Sequence, residues 1–504
     1  MIAKVHSVAL TGFDGALIEV ETDLKQGLPG IQIVGMGNKA IDEARERVRS
    51  AIPHSLLEFP PRKFTINLAP AELPKDGTHF DLPIALSLLV ASGQLRQTEV
   101  DGALFAGELS LDGQLRPIRG AIAITEVALT ANMTQVYLPL ENTPQATLVE
   151  GVTIIGIKNL KELYLHLKGE VIIPPFSDTP PTPVIPPPAI TLDDIHGQAI
   201  AKRALEIAVA GRHNILLFGP PGTGKTMLAR ALHSLLPPLS SVEMRTVTKI
   251  HSLARQVDTE IITTRPFQSP HHTTSASAII GGGNRPRPGE ISLAHLGVLF
   301  LDELPEFPRA TLEALRQPLE ERQITIARLG GHITYPANFM LVATMNPCPC
   351  GYYGDPTHEC TCSHAQISTY QKRISGPLLD RIDLILSVSK QSPEAFLYSE
   401  SMHKTQQSKV LKSISGAYKQ QKQRYNSSYA YNAYLSPADI KSLLTLSPAA
   451  KNLLDTATTR LGLSSRSYFR LIKVAQTIAD LARHPRIEAV HIAEALQLRG
   501  SLPH

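Results

Sequence analysis

Eight residues near the middle of the chain, Gly219-Pro-Pro-Gly-Thr-Gly-Lys-Thr226, constrain its fold more than any other feature. They follow the apolar run Asn214-Ile-Leu-Leu-Phe218 and lead into Met227-Leu-Ala-Arg-Ala-Leu232, so the local order reads strand, glycine loop, helix. Gly219, Pro220, Pro221, Gly222, Thr223 and Gly224 form a loop whose glycines let backbone N–H groups turn inward around phosphate oxygens. Lys225 supplies a point charge to the β and γ oxygens, and the Thr226 hydroxyl is suited to ligate Mg²⁺. The expectation is a nucleoside triphosphate site taking ATP and Mg²⁺. An ordinary Gly/Pro turn would not need the full spacing with both flanks.

Downstream, Gly297-Val-Leu-Phe-Leu-Asp-Glu303 has the pattern of a buried strand ending in two acids. Hydrolysis requires such a pair. Asp302, first after the apolar run, is expected beside the Mg²⁺, and Glu303 is expected to polarise the attacking water. A third apolar run, Phe339-Met-Leu-Val-Ala-Thr-Met-Asn346, ends in an amide suited to bond the γ-phosphate or the water.

With Asp194-Ile-His-Gly-Gln198 ahead of the glycine loop, the chain from about residue 190 onward resembles an AAA+ ATPase, which puts Asn346 at the sensor 1 position. Gly376-Pro-Leu-Leu-Asp-Arg-Ile-Asp383 resembles the segment bearing the arginine finger in magnesium chelatase and MCM helicase relatives, so Arg381 takes that position. Such a residue acts on a neighbouring subunit's nucleotide and implies a ring. Ser464 to Asp480 has apolar residues at helical spacing and resembles the sensor 2 helix of the same group, with Arg466 as the sensor and Arg470 as the alternative.

All four cysteines lie within fifteen positions, as Cys348-Pro-Cys350 and Cys360-Thr-Cys362. Gly351, Tyr352, Tyr353, Gly354 and Pro356 interrupt the stretch between the pairs, so the loop is able to fold back and bring four thiolates around one ion. Tetrahedral Zn²⁺ prefers that donor set, and with no open position the site would be structural. A redox dithiol and unliganded buried cysteines stay open, as does replacement of one thiol by His358 or His364.

At 504 residues the chain is too long for one core. Residues 173–190 are proline-rich and read as an extended spacer between a body at 1–172 and a second at 191–504. The second divides into a core, 191–390, with the four-cysteine loop at 346–364, and a helical lid, 391–504. Residues 1–172 hold 15 Lys and Arg against 20 Asp and Glu, which leaves 34 against 25 in the remainder although the whole chain is only +4. A basic motor half is compatible with tracking a phosphate backbone. Lys404, Lys409, Lys412, Lys419, Lys422 and Arg424 precede Tyr425, Tyr429, Tyr431 and Tyr434, a composition that suits single-stranded nucleic acid, although a solvated lid helix is the favoured reading. No signal-type segment or membrane-length apolar run is present, and clustered cysteines fit a reducing, cytoplasmic location.

The first body alternates β-type runs (5–10, 16–20, 63–68) with helical segments (40–52, 83–91), an α/β pattern. Gly35-Met-Gly-Asn-Lys-Ala40 superficially copies a dinucleotide turn but lacks a ribose-binding acid at the right distance. Residues 27–37 and 74–85 resemble the proteolytic domain of Lon proteases (ribosomal S5 domain 2-like). The departures matter. Thr78-His79-Phe80-Asp81 follows Lys-Asp-Gly where that family carries its serine, and Ile122 stands where its lysine belongs, so no Ser-Lys dyad is expected.

A Lon-like domain, a proline linker, a magnesium-chelatase-like AAA+ module and a four-cysteine loop occur together in the YifB/ComM family, which this chain resembles over essentially its whole length. The resemblance implies an α/β multidomain fold, with a Lon-protease-like first domain and a P-loop AAA+ core under a helical lid. It further implies a homo-hexameric, ATP-driven DNA helicase that promotes branch migration on single-stranded and branched DNA during natural transformation, alongside recombination proteins. The stretch Gly281-Gly-Gly-Asn-Arg-Pro-Arg287 resembles the insertion that enters the pore, with Arg285 and Arg287 facing phosphates or a plain surface loop. A motor acting on a protein or a metal-chelation partner is the alternative.

Overall fold

The computed structural model describes residues 2–35, 39–177, 189–254, 259–283, 287–328, 331–390, 406–426 and 431–500. Two sheets organise the molecule. The first has seven strands, β1 (Ala3–Thr11), β2 (Asp14–Lys25), β3 (Gly30–Val34), β4 (Lys63–Ala69), β5 (Ala103–Phe105), β6 (Gln135–Pro139) and β7 (Thr153–Ile157), in the order β3-β4-β2-β1-β5-β6-β7. Helices α1 (Lys39–His54), α2 (Asp81–Ala91) and α3 (Ala121–Thr130) accompany it. Alternation in β4 buries Phe64, Ile66 and Leu68, as period-2 patterning requires, and α2 is buried almost throughout. The expected runs of the first body all fall inside these elements.

The second sheet is parallel throughout, with β8 (Ile215–Phe218), β9 (Phe267–Gln268), β10 (Val298–Leu301), β13 (Met340–Met345) and β14 (Leu384–Ser387) in the order β9-β10-β13-β8-β14. A hairpin, β11 (Gln323–Arg328) with β12 (Gly331–Pro336), precedes β13. Both faces of the sheet are covered, which explains the unbroken apolar runs. Ile215 and Leu217 pack on one side with α4 (Ala199–Gly211) and α5 (Lys225–Ser234), and Leu216 and Phe218 pack on the other with Leu299, Leu301 and Leu341. The C-terminal helices α8 (Gln406–Tyr425), α9 (Pro448–Leu461), α10 (Ser465–Leu481) and α11 (Ala489–Gln497) share the first of these cores through Ile414, Leu454, Leu471 and Ile492. The whole is a mixed α/β multidomain chain with a parallel sheet core and C-terminal helices.

The two bodies are in contact. Helix α6 (Ser241–Ala254) places Met244 and Val247 against Ile122 and Val149 of the first body. Lys249, 5% exposed, lies 2.6 Å from Glu126 and 3.2 Å from Asp14, with its ammonium 4.0 Å from the Phe13 ring centroid. Of the proline-rich segment, Ile173 packs into the core of the first sheet, and residues 178–188 lie outside the described residues. No helix among the described residues is long and apolar enough to cross a membrane.

Candidate nucleotide site and its distant arginines

The glycine loop leaves the carboxyl end of β8, where the strand's neighbours β13 and β14 come from later in the chain, the kind of switch point at which open α/β sheets bind ligands. Gly222 (φ +78°) and Gly224 (φ +84°) adopt left-handed conformations that free the loop to curl, and α5 begins at Lys225. Lys225 Nζ donates to the carbonyls of Gly219 (2.7 Å) and Pro220 (2.8 Å) and to Asn346 Oδ1 (3.2 Å). It makes no ion pair among the described residues. Burial holds its ammonium down to about 8, against the opposing pull of Asp302 and Glu303. A buried cation bonded only to neutral oxygens at a helix N-terminus fits the triphosphate the sequence calls for.

The acids and the amide meet around it. Thr226 Oγ1 donates to Asp302 Oδ2 at 3.4 Å, and Thr344 Oγ1 donates to Asp302 Oδ1. Glu303 holds a left-handed backbone (φ +54°) with its N–H donating to Thr344 Oγ1 at 3.1 Å, a strained turn that follows the end of β10. Gln198, also left-handed, donates to the carbonyls of Thr223 and Ser389 and ties the loop to the end of β14. Thr344 escaped the sequence reading. Its signal was a lone hydroxyl in the buried run 340–345.

The four cysteines converge two residues beyond Asn346. Their sulfurs all lie within 4.8 Å of one another, with Cys348 to Cys350 at 3.3 Å, Cys350 to Cys360 at 3.5 Å and Cys348 to Cys360 at 3.7 Å. Tetrahedral zinc–sulfur bonds set ligands about 3.8 Å apart, so the donor set fits that ion. The backbone N–H of Tyr352 helps hold the Cys350 thiol down to about 6, whereas against the Cys350 backbone N–H desolvation, then the Cys350 and Cys348 sulfurs, push the Cys362 thiol up. His358 stacks on Tyr352 and His364 opens a helix, and neither belongs to the cluster. The loop leans on the nucleotide site: at Gly351 (φ +88°) an added Cβ would lie 2.9 Å from Pro221 Cδ.

Arg381 is elsewhere. It precedes β14, and its carbonyl accepts from Asn214 Nδ2 at 3.1 Å, at the amino end of β8. The glycine loop starts five residues on, roughly 16 Å along the strand. Arg381, Arg466, Arg470, Arg212, Arg322 and Lys473 instead line a cavity of about 370 Å³ together with Glu320 and Asp383. No glycine-loop residue lines it. Asp383 is fixed there by His213 (3.3 Å), the Asn214 N–H (3.2 Å) and Arg470 (3.7 Å). Although burial pushes its carboxyl up, His213, Arg470 and Lys473 hold it well below the ordinary value. Arg381 Nε and Arg470 Nη1 are buried without a hydrogen-bond partner among the described residues, as donors awaiting an anion would be.

Tyr431 and Tyr434 turn inward, under the guanidinium groups of Arg212 and Arg322, and Arg424 is committed to Asp480, so neither of these tyrosines presents a free ring face; Lys409, Lys412, Lys419 and Lys422 form the solvated face of α8. Lys404 and Tyr429 lie outside the described residues. Arg287, paired in a short hairpin with Gly282, faces a cavity shared with Leu10, Thr78 and Arg119 of the first body. Arg285 and residues 36–38 lie outside the described residues. In the first body, His79 Nε2 is bonded to the Val8 carbonyl and Ile122 is wholly buried.

Comparison with family models assigns the class. Residues 191–396 match the model described as magnesium chelatase, subunit ChlI, residues 404–499 the C-terminal part of that subunit, and residues 20–142 the model for subunit ChlI of Mg-chelatase. The fold is that of the magnesium-chelatase-like AAA+ family. Over 99% of its length the chain is 42% identical to YifB of Salmonella typhimurium and of Escherichia coli, and 41% identical to the competence protein ComM of Haemophilus influenzae, covering 97% of each. It belongs to the YifB/ComM family.

Proposed function

We propose that this protein is an ATP-driven ring motor that remodels DNA, a homo-hexameric helicase promoting branch migration. The observation that carries the ring is the separation of Arg381 from its own glycine loop by the length of β8. An arginine finger placed there completes a site only on a neighbouring subunit. Bound ATP supplies the anhydride to be cleaved and Mg²⁺ the charge that screens it. Gly219 to Gly224 and Lys225 hold the phosphates, Thr226 and Asp302 hold the metal, Glu303 orients water, and Asn346 reports on the γ-phosphate. Arg466 or Arg470 adds sensor 2 from the same cavity as Arg381.

The remaining assignments follow the domain plan: an inactive Lon-like accessory domain at 1–172, a linker at 173–190, the ATPase core at 191–390 and a lid at 391–504. A structural zinc held by Cys348, Cys350, Cys360 and Cys362 orders the loop at 346–364. Support for DNA comes from the basic balance of the motor half and from likeness to a protein named for competence. A cytoplasmic location fits free, clustered cysteines.

The test is ATP hydrolysis with and without single-stranded and three-stranded DNA at several salt concentrations, with Lys225→Ala as blank. Stimulation that falls with salt supports the motor on DNA. The magnesium-chelatase models favour a second reading, a motor on a chelation or protein client, and a rate indifferent to DNA would select it.

A further inference from the structure

Arg381 and Arg466 share a single acceptor. Arg381 Nη2 lies 2.6 Å from Glu320 Oε1, and Arg466 Nη2 lies 3.4 Å from the same oxygen. Glu320 belongs to the short helix α7 (Arg316–Glu321), whose residues Pro318, Leu319 and Glu320 line one side of the cationic cavity. Two guanidinium groups converging on one carboxylate oxygen have the geometry with which arginines grip a phosphate oxygen.

The two acids of the cavity differ in how they are held. Asp383 is buried and anchored by three partners. Among the described residues Glu320 forms ion pairs with Arg381 and Arg466 alone, and its side chain is 42% exposed, so it can leave into water. Arg381, by contrast, is 4% exposed and fixed through Nη1 to the Pro377 carbonyl. The cation stays while the carboxylate is free to go.

We propose that Glu320 is a displaceable latch, a carboxylate that stands where a neighbouring subunit's nucleotide will present a phosphate oxygen. The inference rests on the reading that Arg381 acts on a neighbour's nucleotide. A carboxylate between two guanidinium groups offsets their repulsion in the lone subunit and keeps both side chains aimed into the cavity. A terminal phosphate carries more charge and more acceptor oxygens, so it displaces the carboxylate. Arg381 Nε and Arg470 Nη1, which Glu320 leaves unpaired, give it further donors. Breaking the latch opposes subunit association, and nucleotide offsets that opposition. Glu320 is a positioning residue that sets how much nucleotide and protein the ring needs to close.

Sedimentation velocity of the full-length protein with a slowly hydrolysed ATP analogue tests this. Glu320→Gln keeps the shape and removes the charge, and its half-assembly concentration should fall roughly two- to fivefold, the span that partly exposed ion pairs cover. Glu320→Ala should shift the same way, and Glu320→Asp should restore the native midpoint. The shift should shrink in high salt. An unchanged or higher midpoint in Glu320→Gln and Glu320→Ala overturns the latch. Arg381→Ala separates this from the parent reading: if it hydrolyses ATP at the native rate, action on a neighbour's nucleotide fails. If it is inactive while the Glu320 variants assemble as native, only the latch fails.

Discussion

Lys225 Nζ donates to Asn346 Oδ1 at 3.2 Å, which joins the helix that follows the glycine loop to the end of the adjacent strand β13. Asn346 thus faces the same space as the Lys225 ammonium without contributing a charge of its own. Removing it should spare binding and impair the chemical step. Asn346→Ala is expected to change nucleotide affinity only a few-fold and to lower the turnover rate by about 10². Equilibrium binding of a fluorescent ATP analogue beside steady-state hydrolysis checks the split. Parallel loss of both would contradict it.

The Lys225 ammonium is held down to about 8, chiefly by burial. Only its charged form attracts a triphosphate, and bound phosphates raise its pKa, so binding at higher pH must take up a proton. The attraction is complete below about 8 and is lost as pH rises through that value. Nucleotide affinity is therefore expected to weaken as pH is raised from about 7 to about 9.5, and Lys225→Arg, charged throughout, should flatten the profile. A flat profile for the native protein would refute the assignment.

The four-cysteine loop should carry one zinc per chain and support the glycine loop mechanically. Gly351 holds a left-handed φ of +88° against Pro221. Gly351→Ala should keep its zinc yet lose about 1–3 kcal/mol of stability or nucleotide binding through strain and contact with Pro221. Cys360→Ser should lose zinc as well. Metal analysis and nucleotide titration together distinguish the two variants, and a zinc-free native protein would contradict the metal assignment.

Lys249 should pin the first body to the motor. Replacing it by methionine keeps the stem and leaves Asp14 and Glu126 without their shared cation. Fully buried pairs cost about 3–5 kcal/mol to break, and because both acids here keep contact with water, about 1–3 kcal/mol is expected. Urea unfolding should show an earlier first transition, whereas an unmoved curve would show that the apolar contacts of Met244 and Val247 suffice.

Much of this arrangement could be read before any coordinates. Strands β8, β10 and β13 are buried on both faces, so they stand out as unbroken apolar runs, and their polar ends mark Lys225, Asp302 and Asn346. The cysteines were legible because four of four fall in one loop. What stayed hidden depends on distant segments meeting. Asn214 and Arg381 are 167 positions apart, and nothing local announces their bond. Glu320 looks like any acid in a short helix until Arg381 and Arg466 arrive beside it. The lysine and tyrosine stretch was ambiguous because composition does not say which face looks outward. Helical spacing in α8 sends its lysines to solvent, while Tyr431 and Tyr434 fold back on Arg212 and Arg322. Docking of α6 on the first body rests on Lys249, Arg245 and a few apolar side chains, with no sequence signature.

If one subunit's glycine loop is completed by another's Arg381, two inactive variants should restore hydrolysis when mixed. Lys225→Ala lacks the phosphate cation but keeps the finger, and Arg381→Ala keeps the loop but lacks the finger. Mixed rings contain interfaces where an intact loop faces an intact finger, so hydrolysis should reappear, with a maximum near equal proportions, while each variant alone stays at background. A mixture that remains as inactive as its components, with co-assembly shown by sedimentation, would contradict a site shared between subunits.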